Sequence, residues 1–278
     1  MALGEYINTE IEGKITFSGS NLNNFVKDPL LFWDNVFSRS EKENTTSTIL
    51  GTIVHHCASE YILKRKVDTN EIESYLSNYR DSSIDCDFIR RCYKDMANEI
   101  FRHIDRWRVF GLIESEVFMT TDVSKYGVFK GTLDCIVAKD TIIDFKTTSQ
   151  LSHINNLPFQ YVRQLQGYYY IAKRNGYPIT QAKIVYITVP RIGAFSETTG
   201  KPLKDYPCQV YEVAISNDLL QMDKIKPLID LIGESIDFIV ENPDKAHLIT
   251  RRKENDNGDQ SIDQWLLEYR QNNSNLKD

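Results

Sequence analysis

Between Gly127 and Gln150 the chain reads GVFKGTLDCIVAKDTIIDFKTTSQ, apolar and β-branched stretches interrupted by Asp134, Asp144 and Lys146. Such patterning makes two strands, with the turn at Ala138-Lys139-Asp140. An unpaired charge on a half-buried strand is costly, and like charges facing each other across a ladder cost more. The hairpin therefore requires something that offsets its carboxylates. With a three-residue loop, Val137 faces Thr141, Ile136 faces Ile142 and Asp134 faces Asp144, which sets opposed Cβ atoms about 4.5–5.5 Å apart. A two-residue turn would instead set Asp144 against Cys135. In the first register the two carboxylates are spaced to share a divalent cation, because hard ions such as Mg²⁺ take oxygen ligands. Lys146, two residues past Asp144, returns to the same face. There its ammonium could hold an attacking water or balance charge on a phosphate.

Around the hairpin the periodicity changes. A helix is expected over about Ser20 to Phe37, interrupted near Pro29, and the polar run Arg39 to Thr48 reads as a loop. Further helices are expected from Thr52 to Lys66, Glu71 to Tyr79 and Asp87 to Phe110. The pattern then turns to strand with LIESEVFMTTDV and the hairpin. Pro158 to Arg174 returns to helix and stops at NGYP. AKIVYITVP and CQVYEVAIS make two more strands, and helices are expected over Leu219 to Val240 and Ser261 to Gln271, separated by the charged RRKENDNGDQ. The order predicts one α/β domain over residues 1–278, with a mixed central β-sheet flanked by helices and a helical N-terminal layer.

Composition bounds the function classes. No apolar run approaches the ~20 residues that cross a bilayer, so no membrane partner is expected. The acidic N-terminus lacks the layout of a secretion signal, so a cytoplasmic location is expected. Five cysteines without a C-x-x-C pair favour reduced thiols over a disulfide framework or zinc site. A net charge of -6 argues against a broad polyanion-binding surface but leaves room for a local basic rim. Lys125, Lys130, Arg163, Lys173, Arg174 and Arg191 are the candidates for such a rim.

GTLD followed by IIDFKTT resembles the central motif of the PD-(D/E)XK nuclease superfamily, in its RecB-like exonuclease branch. Three more segments resemble that branch in the same order: FSGSNLNNFVKDPLLFW from Phe17, the Gly-x-x-x-His helix GTIVHHCASEY, and the Gln-x-x-x-Tyr element QLQGY. The motifs span about residues 17–170, and residues 171–278 are expected to complete a restriction-endonuclease-like core with strands and helices. The resemblance implies that Asp134, Asp144, the backbone carbonyl of Phe145 and His55 hold Mg²⁺ or Mn²⁺. It implies that Lys146 orients or deprotonates the attacking water. Gln164 and Tyr168, four apart on one helix face, would contact DNA or arrange the site. Glu116 matches an acidic position ahead of the first aspartate. Glu114, two residues away, would share its face, and the choice between them is open. His56 is expected to be structural, with Glu60 as an i,i+4 partner.

The iron–sulphur cluster of some relatives is not expected. Asp28 stands at its first cysteine position, and only Cys208 follows Tyr168. Without a P-loop signature, unwinding would require a recombination or helicase partner. The resemblance also admits a homo-oligomer. The expected activity is metal-dependent DNA exonuclease, on single- or double-stranded DNA, in recombination, repair or phage DNA metabolism. A structure- or sequence-dependent DNA endonuclease and a non-catalytic nucleic-acid-binding module are the alternatives.

Overall fold

A mixed six-stranded sheet carries the chain, with helices on both of its faces. The computed structural model describes residues 14–37, 44–79, 82–150, 152–191, 193, 198–202, 204–242 and 245. The charged segment at 251–260, the helix expected over 261–271 and much of the 39–48 loop lie outside them.

The chain opens with strand β1 (Ile15–Ser18), then helices α1 (Leu22–Lys27) and α2 (Pro29–Phe37). The expected single helix is divided at Asp28, whose backbone is extended, as the residue before a proline prefers. Helix α3 (Thr46–Lys64) begins six residues before its expected start, because Thr45 and Thr48 cap it reciprocally. Helices α4 (Thr69–Ser77) and α5 (Cys86–Trp107) follow, capped by Asp68 and Asp85. Strands β2 (Ile113–Asp122), β3 (Gly127–Val137) and β4 (Thr141–Thr148) come next. A single helical turn α6 (Ser152–Asn155), which the sequence pattern did not indicate, leads to α7 (Phe159–Arg174). Strands β5 (Gln181–Thr188) and β6 (Val210–Ala214) and helix α8 (Met222–Glu241) close the described fold.

The sheet order is β1-β3-β4-β5-β6, with β2 also on β3. β2 runs antiparallel along Val128 to Val137 and takes one edge of β3. The other edge is divided. β1 pairs in parallel with Gly127 to Lys130, and β4 pairs antiparallel with Cys135 to Val137. Among the described residues, no strand pairs with the interval from Gly131 to Asp134 on that edge. β4 and β5 are parallel, joined through α6 and α7, and β6 closes the edge antiparallel to β5.

Two apolar cores form, one per face. Phe17, Phe129, Leu133, Ile142, Ile184 and Tyr186 pack with α1, α2, α7 and α8. Cys135, Ile143, Phe145 and Val185 pack with α3, α4 and α5. Leu133 and Cys135, two apart, join opposite cores, and so do Val117 and Ile113, four apart on β2. A regular strand cannot do this, since its side chains alternate with period two. The reversal falls at the facing positions Glu116 and Asp134. Glu116 supplies it with a left-handed backbone, φ 52°, unusual for a residue with a side chain.

Candidate active site

The hairpin register is the one expected from a three-residue loop: Val137↔Thr141, Ile136↔Ile142, Cys135↔Ile143. The expectation fails one step further out. Regular pairing stops before Asp134 and Asp144, and Asp134 Oδ2 accepts the Phe145 N–H at 2.8 Å, in place of a ladder carbonyl. The strands part at the two acidic positions.

The chain itself supplies much of the compensation that the hairpin sequence demands from outside. His55, on α3, places Nδ1 3.6 Å from Asp134 Oδ2, and its ring rests edge-on against Phe145. Lys146 Nζ lies 2.7 Å from Asp144 Oδ2 on the same strand face. Burial opposes the charge of Asp134, but His55, Lys146 and the Phe145 amide together hold its pKa below the ordinary value. Asp144 is only 2% exposed. Burial and the neighbouring Asp134 outweigh Lys146 and push its carboxyl up to about 6. Burial disfavours the Lys146 ammonium, yet Asp144 and Asp134 raise its pKa. Within this ion pair the lysine is thus held in its charged form while the aspartate is drawn towards its neutral one. The asymmetry has a physical origin: Lys146 faces two carboxylates, whereas Asp144 has the like charge of Asp134 beside the opposite charges of Lys146 and His55. The charge on the lysine is the firmer of the two.

Glu116 joins this group and Glu114 does not. Burial and Asp134 push the Glu116 carboxyl up to about 7, while Glu114 accepts the Tyr177 hydroxyl at 2.9 Å. Their expected common face is lost because the Glu116 backbone turns left-handed. Gln164 Nε2 donates to the Tyr168 hydroxyl at 2.8 Å, the i,i+4 contact the motif implied. Tyr168 is buried beneath the carboxylates. Glycines make room for its ring: a Cβ on Gly131 would lie 3.0 Å from Tyr168 Cε1, and one on Gly19 at 3.3 Å. Tyr161, which sequence reasoning missed, presents its ring to Lys146 Nζ at 5.3 Å from the centroid. Its signal was its position, three residues before Gln164 on the same helix. Tyr186, aligned with Lys146 on β5, carries a buried hydroxyl without a hydrogen-bond partner among the described residues.

His56 lies outside the group, though not as expected. Glu60 is held by Lys64 at 2.7 Å, and His56 is turned towards Glu71 of α4 at 3.6 Å. Most of the expected basic rim is otherwise engaged: Lys125 with Glu241, Arg163 with Asn23, Arg191 with the Lys204 carbonyl and Tyr206. Lys173 lies over the Tyr169 ring.

Two neighbouring carboxylates, an imidazole and the Phe145 carbonyl are a donor set suited to a hard divalent cation. The buried Asp144 Oδ2 is paired with the Lys146 ammonium but, among the described residues, accepts no well-formed hydrogen bond. Among the described residues, no group of three or more His, Cys, Asp or Glu side chains already converges as a formed metal cage. Asp144 is paired with Lys146, and Asp134 with His55 and the Phe145 amide.

A family model described as the PD-(D/E)XK nuclease superfamily matches residues 16–273. The chain belongs to that superfamily, whose members generally use divalent metal ions. No curated protein matches it. Among solved structures, the "Putative exonuclease" of Eubacterium rectale is 14% identical, with a TM-score of 0.50 over 82% of this chain and 81% of that one. The alkaline exonuclease LHK-Exo of Laribacter hongkongensis is 9% identical, with a TM-score of 0.36 over 72% and 97%. A phage related exonuclease of Haemophilus somnus 129PT is 13% identical, with a TM-score of 0.35 over 83% and 97%. The first supports the restriction-endonuclease-like fold, which the mixed sheet with helices on both faces also displays. No described helix is long and apolar enough to cross a membrane.

Proposed function

We propose that the chain is a Mg²⁺- or Mn²⁺-dependent deoxyribonuclease acting as an exonuclease of the RecB-like kind. One observation carries the reading: Asp134 and Asp144 stand where β3 and β4 part, with Lys146 and His55 against them. Buried charges so placed are costly to a fold and cluster at functional sites. Asp134, Asp144, His55 and the Phe145 carbonyl would hold the ion. When bound, it would supply a water nucleophile active near neutral pH and charge stabilisation at the phosphate.

The chain's own groups would do the rest. Lys146 stays protonated at neutral pH, because Asp144 and Asp134 raise its pKa despite burial. Its ammonium would offset charge developing on the phosphate oxygens and orient the attacking water. The Tyr161 face steadies that ammonium. Glu116, with a carboxyl near 7, is suited to exchanging a proton close to Asp134. Gln164 and Tyr168 would hold the floor of the site. The exonuclease mode rests on the motif order and on the name borne by the Eubacterium rectale protein of like fold.

The test is cleavage of end-labelled linear DNA and of closed circular DNA with Mn²⁺ or Mg²⁺, and with EDTA as control. The linear substrate should be degraded and the circle spared. Asp134→Ala and Lys146→Ala should each abolish cleavage while keeping the wild-type circular dichroism. Full activity in either variant refutes the assignment. Cleavage of the circle assigns an endonuclease instead.

A further inference from the structure

Beyond the carboxylates, the β1–β3–β2 part of the sheet presents a strip that belongs to neither core. On β3 the residues facing away from α7 and α8 are Lys130 and Thr132. Their neighbours Phe129 and Leu133 lie in the core, and Gly131 faces the Tyr168 ring. Register places Ser18 beside Lys130 on one side, Thr120 beside it on the other, and Phe118 beside Thr132. All five are partly exposed. The strip closes at buried Val128 and runs in the other direction to Glu116 and Asp134. From Lys130 to Asp134 it is four residues long, about 13 Å at ~3.3 Å per residue.

Two of its residues call for a ligand. Lys130 is partly buried and its ammonium is disfavoured by desolvation. Among the described residues it makes no ion pair, whereas Lys125, Lys146 and Lys183 each have a carboxylate. Asp122, two residues beyond Thr120, is met by Lys14 instead. Phe118 is the second. It is a large aromatic on a strand, packed in neither core, while Val117 and Met119 on either side of it join the core below. A phosphate would compensate the lysine, and a base would cover the ring, since any base can stack on an aromatic. Thr120 and Thr132 lie beside Lys130 and Phe118 in the register, while the Ser18 hydroxyl is engaged by Asn21.

We infer that this strip is a DNA-strand track, in which Lys130 contacts a backbone phosphate and Phe118 stacks a base next to the strand segment at Asp134. The inference rests on the nuclease reading and gives that site a substrate-binding surface. The track runs along the sheet face opposite α7 and α8 and reaches the site at Asp134, beside His55 of α3.

The test measures binding and cleavage separately. Anisotropy of a fluorescein-labelled single-stranded DNA 20-mer, titrated with the full chain in Ca²⁺ buffer, reads binding. Phe118→Ala should weaken it roughly fivefold to a hundredfold, the range for losing one stacked base, and Phe118→Tyr should restore most of it. Lys130→Gln should reduce the slope of log affinity against log salt by ~0.7, the value for one phosphate contact on a single strand. In Mn²⁺ cleavage assays both variants should raise KM and keep kcat within about twofold. Lys130→Gln is a partly exposed change, so it stands as a second arm should Phe118→Ala unfold. Wild-type binding and salt slope in both variants overturn the track, whether or not the chain cleaves DNA. Weakened binding alongside a wild-type chain that cleaves nothing supports the track and rejects the nuclease reading.

Discussion

Lys146→Met in metal-free buffer isolates what holds Asp144. The ammonium sits 2.7 Å from a carboxylate that is 2% exposed. At an effective dielectric of ~20 their attraction is about 6 kcal/mol, much of it offset by the desolvation of both ions. Removing one partner of a buried pair typically costs about 3–5 kcal/mol, because the other charge remains. Asp144 has an escape, however. Its carboxyl is already raised to about 6 with the lysine present, and loss of the lysine raises it further. A carboxyl whose folded pKa exceeds its unfolded value contributes stability below the unfolded pKa and loses it as pH rises through the folded one. At pH 8 the variant must keep a buried charge or take up a proton well above the ordinary carboxyl pKa, and should lose about 3–5 kcal/mol. At pH 5 Asp144 is protonated in the folded state, and the difference from wild type should shrink to about 1 kcal/mol. The double variant Lys146→Met with Asp144→Asn should recover most of the pH 8 loss, since it leaves no charge behind. Urea unfolding in EDTA at both pH values, followed by circular dichroism, measures each difference. Equal losses at pH 5 and pH 8, or a double variant no better than the single, would refute the reasoning.

Two further outcomes follow from other contacts. Gly131→Ala would set a Cβ 3.0 Å from the Tyr168 ring. It should cost about 1–3 kcal/mol as an overpacked site and disturb the Gln164–Tyr168 bond, so nuclease activity should fall with the melting temperature; wild-type values of both contradict this. Glu212 is bound by His103, Lys183 Nζ and the Trp107 indole, and these hold its carboxyl down at about 2. A lowered carboxyl stabilises above its unfolded pKa and loses that contribution as pH falls through the folded value. After allowance for solvent screening of a group 28% exposed, Glu212→Gln should cost about 1–2 kcal/mol at pH 7. The cost should fade between pH 4 and pH 2. A urea-unfolding loss that is the same at pH 7 and pH 2.5 would contradict this.

The hairpin was legible because a period of two and a short loop fix its register, and Lys146 followed onto the face of Asp144 from the same rule. The Gln164–Tyr168 contact was legible because four residues make one helical turn. What lay beyond local pattern was not. The parting of β3 and β4 depends on β1 taking a share of the same β3 edge, and β1 is four residues long. The choice of Glu116 over Glu114 depends on a left-handed residue, and period-two counting assumes there is none. His56 found Glu71 on another helix, and Lys146 found Tyr161 across a strand–helix crossover. The Phe145 amide and His55, which also face Asp134, carry no signature in the hairpin's own sequence.

The most direct measurement is calorimetric titration of Mn²⁺ into the purified chain, alone and with a bound oligonucleotide, beside Asp134→Ala and Asp144→Asn. Saturable uptake by the wild type, lost or severely weakened in both variants, is the predicted result. No uptake by the wild type under either condition, or uptake unchanged by removing either carboxylate, would contradict a metal-dependent site at the parting of β3 and β4.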